Sequence, residues 1–398
     1  MGVKPPWKYI IGQILNKKGK SNASILNYTP IHFDFGAIKE LAPELKKRQI
    51  DRPLIITDQG LVEHGVYDKL LDALPSNITV SLFDRIPENP TILGVEQALE
   101  VYKRENCNGI IGLGGGSVLD SGKALRVIAT HNISLIDILN NSDKITANVA
   151  PYITIPTTAG TGAEITFGGG IHPEPNAPAF GIRSIHVRPD LAICDPEFTM
   201  TLPAQLTAAT GMDALTHCVE GFLSNNSNPP IEAIALDGTR RVINYIDQAA
   251  TDGNDREARS QMSMAALEGG MAIYMGLGPI HALSMTFGNS PLHHGTLVTV
   301  AMPAVIRFYN GKIVGNALER IAEAMGLTAD KQSGNRIADA VAELNAKLGL
   351  PSTIRQMGYN KTDIEQMVRD SCESHFNATA PIIPNAEEYE KIIVEVLG

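Results

Sequence analysis

The sequence is poor in the residues that staple small or secreted folds. Its four cysteines, Cys107, Cys194, Cys218 and Cys372, are scattered through 398 residues without a Cys-x-x-Cys pair. That spacing excludes a zinc ribbon, a thioredoxin-type motif and a disulfide framework, and it fits a reducing compartment, the cytoplasm. No apolar stretch is long enough to cross a bilayer, and the N-terminus has no compact hydrophobic block before a small-residue cleavage site. The chain is therefore expected to be neither secreted nor membrane-spanning. Positive charge is also scarce: 33 Lys and Arg stand against 43 Asp and Glu, a formal net charge of -10. General attraction to nucleic acid or to an anionic membrane is disfavoured, and a small-molecule partner is expected.

What is present is ordinary globular composition, with 43% hydrophobic and 19% charged residues, on a chain too long for one small core. Two domains are expected. Residues 1–30 read as an N-terminal extension: Lys4, Lys8, Lys17, Lys18 and Lys20 occur there with no acid among the first twenty residues, alongside the single tryptophan, Trp7. A solvated or subunit-packing arm accounts for them.

From residue 31 short β-branched runs alternate with helical stretches. Ile31–Phe35, Pro53–Thr57, Ile78–Phe83, Gly109–Leu113 and Tyr152–Pro156 read as strands, with helices over Ala37–Lys47 and Thr91–Glu105 among those between them. Strands separated in this way pair in parallel with helices on both faces, so residues 31–198 are expected to form an α/β domain. Past residue 200 long segments rich in Ala, Leu, Met and Glu take over, including Ala204–Leu223, Pro230–Ala249, Asp255–Tyr274, Ile313–Met325 and Asn335–Leu348. Residues 199–398 are expected to form an all-helical domain, entered through the proline-bracketed stretch between Asp195-Pro196 and Leu202-Pro203.

Two loops in the first half suit a nucleotide. Gly112-Leu-Gly-Gly-Gly-Ser-Val-Leu-Asp120-Ser-Gly-Lys123 follows a strand and opens a helix, where glycines admit an anion to the backbone and the free N–H groups of the first turn point at it. Its spacing is not that of the ordinary Gly-x-Gly-x-x-Gly fingerprint. Pro156-Thr-Thr-Ala-Gly-Thr-Gly162-Ala-Glu164 also follows a strand, and both loops lie where an open α/β sheet binds its ligand. Asp58 ends the strand before it; its carboxylate can accept from ribose hydroxyls and would repel a 2'-phosphate, favouring NAD over NADP, or it can simply cap a turn.

Two segments of the second half suit a divalent metal. Asp213 and His217 lie four residues apart on one helical face. A second cluster, running from Gly278 to Gly295, holds His281, His293 and His294. One Asp with three His gives a mixed oxygen and nitrogen shell that fits iron or zinc better than magnesium or calcium.

Taken together these motifs resemble the iron-containing, or group III, alcohol dehydrogenases, over about Ile31 to Leu348. The anchors are Gly114-Gly-Gly-Ser-Val-Leu-Asp120-Ser-Gly-Lys123, Pro156-Thr-Thr-Ala-Gly-Thr-Gly162, Asp195-Pro196, Gly211-Met-Asp-Ala-Leu-Thr-His217, Leu277-Gly-Pro-Ile-His-Ala-Leu283 and His294-Gly295. The resemblance implies a parallel-sheet dinucleotide-binding domain joined to an all-α metal-binding domain, the two-domain plan shared with dehydroquinate synthase, and a homodimer. It implies metal ligands at Asp213, His217, His281 and His294, with iron as the expected ion and zinc the alternative. The NAD site would be lined by Gly114, Gly115, Gly116, Ser117, Asp120, Thr157, Thr158 and Thr161, with Asp58 selecting NAD.

The resemblance also implies the activity, hydride transfer between NAD(H) and a small alcohol or aldehyde, with a specialised hydroxy acid or sugar acid among the open substrates. A lyase using NAD transiently and a non-catalytic metal- or nucleotide-binding relative are the alternatives. Three departures from the family pattern are visible. Met285 stands where a second histidine is common. The interval from His281 to His294 is one residue shorter than the family's, so His293 rivals His294 as a ligand, or supplies the missing imidazole beside His281 at the reacting centre. The family's lysine before Asp195-Pro196 is replaced by the stretch Phe180-Gly-Ile-Arg183, which leaves the role of Arg183 open.

Overall fold

The computed structural model describes residues 28–398 apart from 176, 289–291 and 361; all but the last three residues of the N-terminal extension lie outside the described residues. Among the described residues eight strands are formed: β1 (Ile31–Phe33), β2 (Pro53–Ile56), β3 (Ser81–Phe83), β4 (Gly109–Gly114), β5 (Tyr152–Pro156), β6 (Gly168–Ile171), β7 (Phe180–Arg183) and β8 (Leu191–Cys194). Six of them make one sheet in the order β1-β8-β5-β4-β2-β3, and every neighbouring pair in it is parallel. Helices α1 (Leu41–Lys47), α2 (Gln59–Glu63), α3 (Val66–Asp72), α4 (Ile92–Arg104), α5 (Gly116–Ile128) and α6 (Leu135–Asn140) connect the strands.

The β-branched runs become strands because both faces of the sheet are covered. Leu54 and Ile56 pack on one face with Ile110 and Tyr152, while Ile55 turns to the other with Ile111, Ile153 and Ile155, the period of two that a doubly covered parallel strand requires. Between β2 and β4 the chain reverses its direction of travel across the sheet: β2 leads outward to β3, β4 leads the other way to β5. Loops at the carboxyl ends of strands flanking such a switch point border a crevice. Asp58 follows β2 and the glycine run ends β4.

Strands β6 and β7 form a separate antiparallel hairpin. Neither strand was expected from the sequence. The hairpin is fixed by Lys123 of α5, a fully buried lysine whose ammonium donates to the Asp120 carboxylate at 2.8 Å, Thr166 Oγ1 at 2.8 Å and the Gly168 carbonyl at 2.7 Å. Three donors find three acceptors, which is what a buried ammonium needs.

The second half is helical: α7 (Ala204–Leu223), α8 (Pro229–Thr251), α9 (Arg256–Ala272), α10 (Pro279–Phe287), α11 (His294–Tyr309), α12 (Ala317–Ala324), α13 (Ser333–Lys347), α14 (Ile364–Glu373) and α15 (Ala386–Leu397). Among the described residues no strand follows β8, and no helix is long and apolar enough to cross a membrane. Helix α7 is buried along nearly its whole length, with Met212, Leu215 and Val219 in a core shared with Ile280, Leu283, Val298 and Met302. A helix buried all round can afford polar residues only where each has a partner or a function.

The loop after β5 joins the halves. A Cβ on Gly160 would stand 2.7 Å from Thr210 Cβ of α7, and one on Gly162, whose φ is +65°, would stand 2.4 Å from the Gly270 Cα of α9. The glycines of this loop let backbone meet backbone between a nucleotide-type loop and the helices of the second half.

Candidate metal and nucleotide site

Helix α7 carries Asp213 and His217 one turn apart, and His217 Nε2 lies 3.5 Å from Asp213 Oδ1. The same oxygen is 3.9 Å from His281 Nε2 on α10 and 3.9 Å from His294 Nε2 at the start of α11. Asp213, His217 and His281 are buried, and each presents a ligand atom within 4.8 Å of the other two. These separations are too long for hydrogen bonds and suit donors arranged around a shared cation. Asp213 Oδ1 and His281 Nε2 are in fact buried with no hydrogen-bond partner. Orphaned polar atoms of this kind are costly unless an ion answers them. One carboxylate and three imidazoles fit an intermediate divalent ion such as iron or zinc.

The imidazoles of His217 and His294 are kept neutral, as ligands must be. Burial, assisted by the His281 ring, holds the pKa of His217 well below its ordinary value. Burial brings that of His294 down to about 4 against the opposing pull of Asp213, with His281 and His217 adding to the depression. The rings of His217 and His281 stack at 4.8 Å. Of the two adjacent histidines left open by the sequence, His294 reaches Asp213; His293 is the N-cap residue of α11, with Nδ1 buried and without a partner. Met285, one turn beyond His281 on α10, is partly buried.

One residue of this cluster was missed at the level of sequence. Glu220, on the Asp213 face of α7 two turns on, accepts from His281 Nδ1 at 2.6 Å and from the Ile280 backbone N–H at 2.8 Å, all in buried surroundings. With Nδ1 holding the proton, the lone pair of His281 is on Nε2, facing Asp213. The signal was available: Asp213, His217 and Glu220 follow the four-then-three spacing of one helical stripe.

The nucleotide-type residues gather at the carboxyl ends of β4 and β5. Gly115 caps α5, with Gly116 and Ser117 opening its first turn, so free N–H groups point out of the β4 end. The loop after β5 folds over them: a Cβ on Gly115 would meet Thr158 Cγ2 at 3.1 Å, and one on Gly116 would meet Thr161 Oγ1 at 3.0 Å. Thr157 donates its backbone N–H to the Gly114 carbonyl at 3.1 Å. Four side chains have internal partners, Thr161 Oγ1 among them, which accepts from Ala163 N at 3.2 Å. The Ser117 hydroxyl donates to the Glu88 carbonyl, the Asp120 carboxylate accepts from Lys123 and from Gly170 N at 3.0 Å, and Asp58 caps α2 by accepting from Leu61 N at 3.0 Å. Gly114, Gly115, Gly116, Thr158 and Thr161 are thus brought together, whereas Asp120 braces the β6–β7 hairpin.

A parallel-sheet domain with a phosphate-type crevice, docked on a helical domain with a carboxylate–imidazole cluster, defines a metal-containing dehydrogenase of the dinucleotide-dependent kind. The comparisons agree. Residues 29–196 match the model for iron-containing alcohol dehydrogenase and residues 207–397 that for the C-terminal part of the Fe-containing alcohol dehydrogenase family. Over 383 residues the chain is 40% identical to 4-hydroxybutyrate dehydrogenase from Cupriavidus necator, covering 93% of this chain and 99% of that one. It is 30% identical over 372 residues to NAD-dependent methanol dehydrogenase from Bacillus methanolicus, covering 91% and 96%. A crystal structure of 1,3-propanediol oxidoreductase superposes with a TM-score of 0.86 at 30% identity, covering 94% of this chain and all of that one, 100%. The chain belongs to the iron-containing alcohol dehydrogenase family. It is an NAD-dependent, metal-containing oxidoreductase that moves hydride between the nicotinamide and a small alcohol or aldehyde, which sets aside the lyase and non-catalytic alternatives.

Proposed function

We propose that Asp213, His217, His281 and His294 hold one divalent ion, iron in preference to zinc, and that the alcohol oxidised is a small hydroxy acid. The observation that carries the metal assignment is the convergence of orphaned, buried ligand atoms from α7 and α10 on one point. The hydroxy-acid reading is supported by the 40% identity to 4-hydroxybutyrate dehydrogenase.

When bound, the ion supplies Lewis acidity and NAD the hydride acceptor. The chain supplies the rest. Asp213 is the single anionic ligand, so an Asp/His₃ shell leaves net positive charge where an alcohol oxygen would have to lose its proton. Glu220 fixes the His281 tautomer. Gly114, Gly115, Gly116, Ser117, Thr157, Thr158 and Thr161 receive the cofactor's phosphates at the start of α5, Asp120 braces the neighbouring hairpin, and Asp58, at the β2 end, accepts from the adenosine ribose. We assign His293, next to His294 in the chain, the proton-handling role that Met285 cannot fill. A homodimer in the cytoplasm completes the reading; four unpaired cysteines, three of them buried, accord with that compartment.

The test is purified enzyme loaded with iron or zinc, assayed for NADH formation from 4-hydroxybutyrate. His281→Ala should abolish turnover while NAD still binds. Full activity of that variant without added metal would overturn the assignment.

A further inference from the structure

A narrow cavity lies where the loop after β5 meets α9, at the joint between the two halves. It encloses about 10 Å³ and is lined by Thr158 and Glu164 of that loop, Cys194 and Asp195 at the end of β8, Thr199 of the turn that follows, and Ser263 of α9. A space of that size takes a single water-sized occupant, about 10–15 Å³ being roughly what one requires.

Its lining is rich in acceptors and carries no positive charge. Glu164 and Asp195 are 3% and 1% exposed, and among the described residues no lysine, arginine or histidine lines the space. The charge of Lys123 reaches Glu164, but its three donors are taken up by Asp120, Thr166 and the Gly168 carbonyl. Asp195 accepts one backbone N–H on each oxygen, from Glu197 at 3.0 Å and from Ile38 at 3.1 Å, which orients the carboxylate without neutralising it. Burial, then the charge of Glu164, push the Cys194 thiol well above its ordinary value, so it stays neutral. The Thr199 hydroxyl donates to the Pro196 carbonyl at 2.8 Å, which leaves its oxygen as an acceptor. Ser263, 9% exposed, has a buried Oγ with no partner. A water would answer that hydroxyl and leave two buried carboxyl groups uncompensated; a cation answers all three.

We propose that this cavity binds a monovalent cation, potassium in preference to sodium, through Glu164, Asp195 and the hydroxyl oxygens of Thr158, Thr199 and Ser263. Oxygen ligands select a hard cation. Three neutral hydroxyls beside two carboxylates suit a single charge, and magnesium, which keeps several of its waters, has no room for them in so small a space. Potassium makes oxygen contacts about as long as those of water, and so fits a water-sized cavity better than sodium does. Without the ion, an ionised Glu164 weighs against folding; with it, the loop after β5 is tied to α9. Thr158 also abuts Gly115 at the start of α5, so the ion steadies a loop that the cofactor must meet, a consequence that rests on the nucleotide assignment above.

The experiment melts metal-loaded wild type, Glu164→Gln and Ser263→Ala at pH 8 in potassium, sodium and tetramethylammonium chloride of equal ionic strength, the last cation being too large for the cavity. Potassium should raise the wild-type Tm over tetramethylammonium by about 2–5 °C and tighten NAD by about fivefold, sodium should act more weakly, and both effects should shrink or vanish in each variant. A crystal soaked in rubidium, a heavier stand-in for potassium, should show an anomalous peak between Glu164 and Ser263. Equal melting in all three salts with a water at that position, or a potassium-dependent rise that survives in both variants, would overturn the site. A rise produced by calcium and not by potassium would overturn the choice of a monovalent ion. If the rise depends on Glu164 and Ser263 while NAD affinity stays the same in every salt, the ion site stands and its link to the cofactor fails. Should NAD bind in none of the salts, the nucleotide assignment fails and the melting result still decides the cavity.

Discussion

At the scale of single residues the site is governed by where a proton sits. Glu220 accepts a hydrogen bond from the Nδ1–H of His281 at 2.6 Å and so commits Nε2 to the cluster. Glu220→Gln preserves the shape but offers an amide that can present either end, and the imidazole loses its fixed orientation. Partners of this type are worth about tenfold to a hundredfold in metal affinity. Competition with a chelator should show a loss of that size with an unchanged circular dichroism spectrum; wild-type affinity in the variant would mean that packing alone orients His281. A second buried acid, Glu164, bears on stability. Burial raises its carboxyl to about 7, against the influence of its own backbone N–H and of Lys123. In the unfolded chain the group ionises near 4.5, so between those values the unfolded state releases a proton that the folded state keeps. Stability therefore falls as pH rises through that window, by at most about 3 kcal/mol above it. Glu164→Gln should be more stable than wild type near pH 8 and lose that advantage near pH 5 in denaturant titrations; a pH-independent difference would clear Glu164 of the effect.

At the scale of elements, what could be read from the chain is what local chemistry decides. Helix α7 spans the expected Ala204–Leu223 because its helix-forming composition runs uninterrupted between Pro203 and the polar run after Leu223. Strand β4 runs through Gly114, one residue past the expected end. Strand β8 and the β6–β7 hairpin were not legible. Leu191–Cys194 is only four residues long and acquires its identity from pairing with both β5 and β1. The three glycines of Gly168-Gly-Gly-Ile171 disfavour a strand, and the segment is held by Lys123 and Asp120 from a distant helix. The expected strand from Ile78 shortens to Ser81–Phe83, with Ile78 itself donating back to the Pro75 carbonyl in a turn. The loop after β5 was legible as a polar loop but not as the joint between the halves. Gly162→Ala tests that joint: its left-handed φ and the 2.4 Å approach to Gly270 together should cost about 2–4 kcal/mol. The same substitution should weaken NAD, since Thr161 is displaced with the loop. Stability within about 0.5 kcal/mol of wild type would show that the two backbones part without penalty.

At the scale of the whole molecule the four proposed ligands were visible in sequence because two lie one helical turn apart and the others share a histidine-rich stretch. Their convergence was not, since it depends on how α10 and α11 pack on α7. That packing has a thermodynamic consequence. Buried and unpartnered, Asp213 Oδ1 and His281 Nε2 oppose folding on their own, and an ion that they bind only in the folded state must return stability by mass action, about 4 kcal/mol when its concentration is a thousand times its Kd. NAD acts through the other half, at the start of α5. Stripping the metal should therefore lower the Tm, and adding iron or zinc should restore it, whereas NAD should raise the Tm of both forms. In Asp213→Asn the metal-dependent rise should vanish while the NAD-dependent rise remains. If the variant still responded to metal as wild type does, the ion would be held elsewhere; if it lost the NAD response as well, the substitution would have disturbed the cleft and not the ligand set alone.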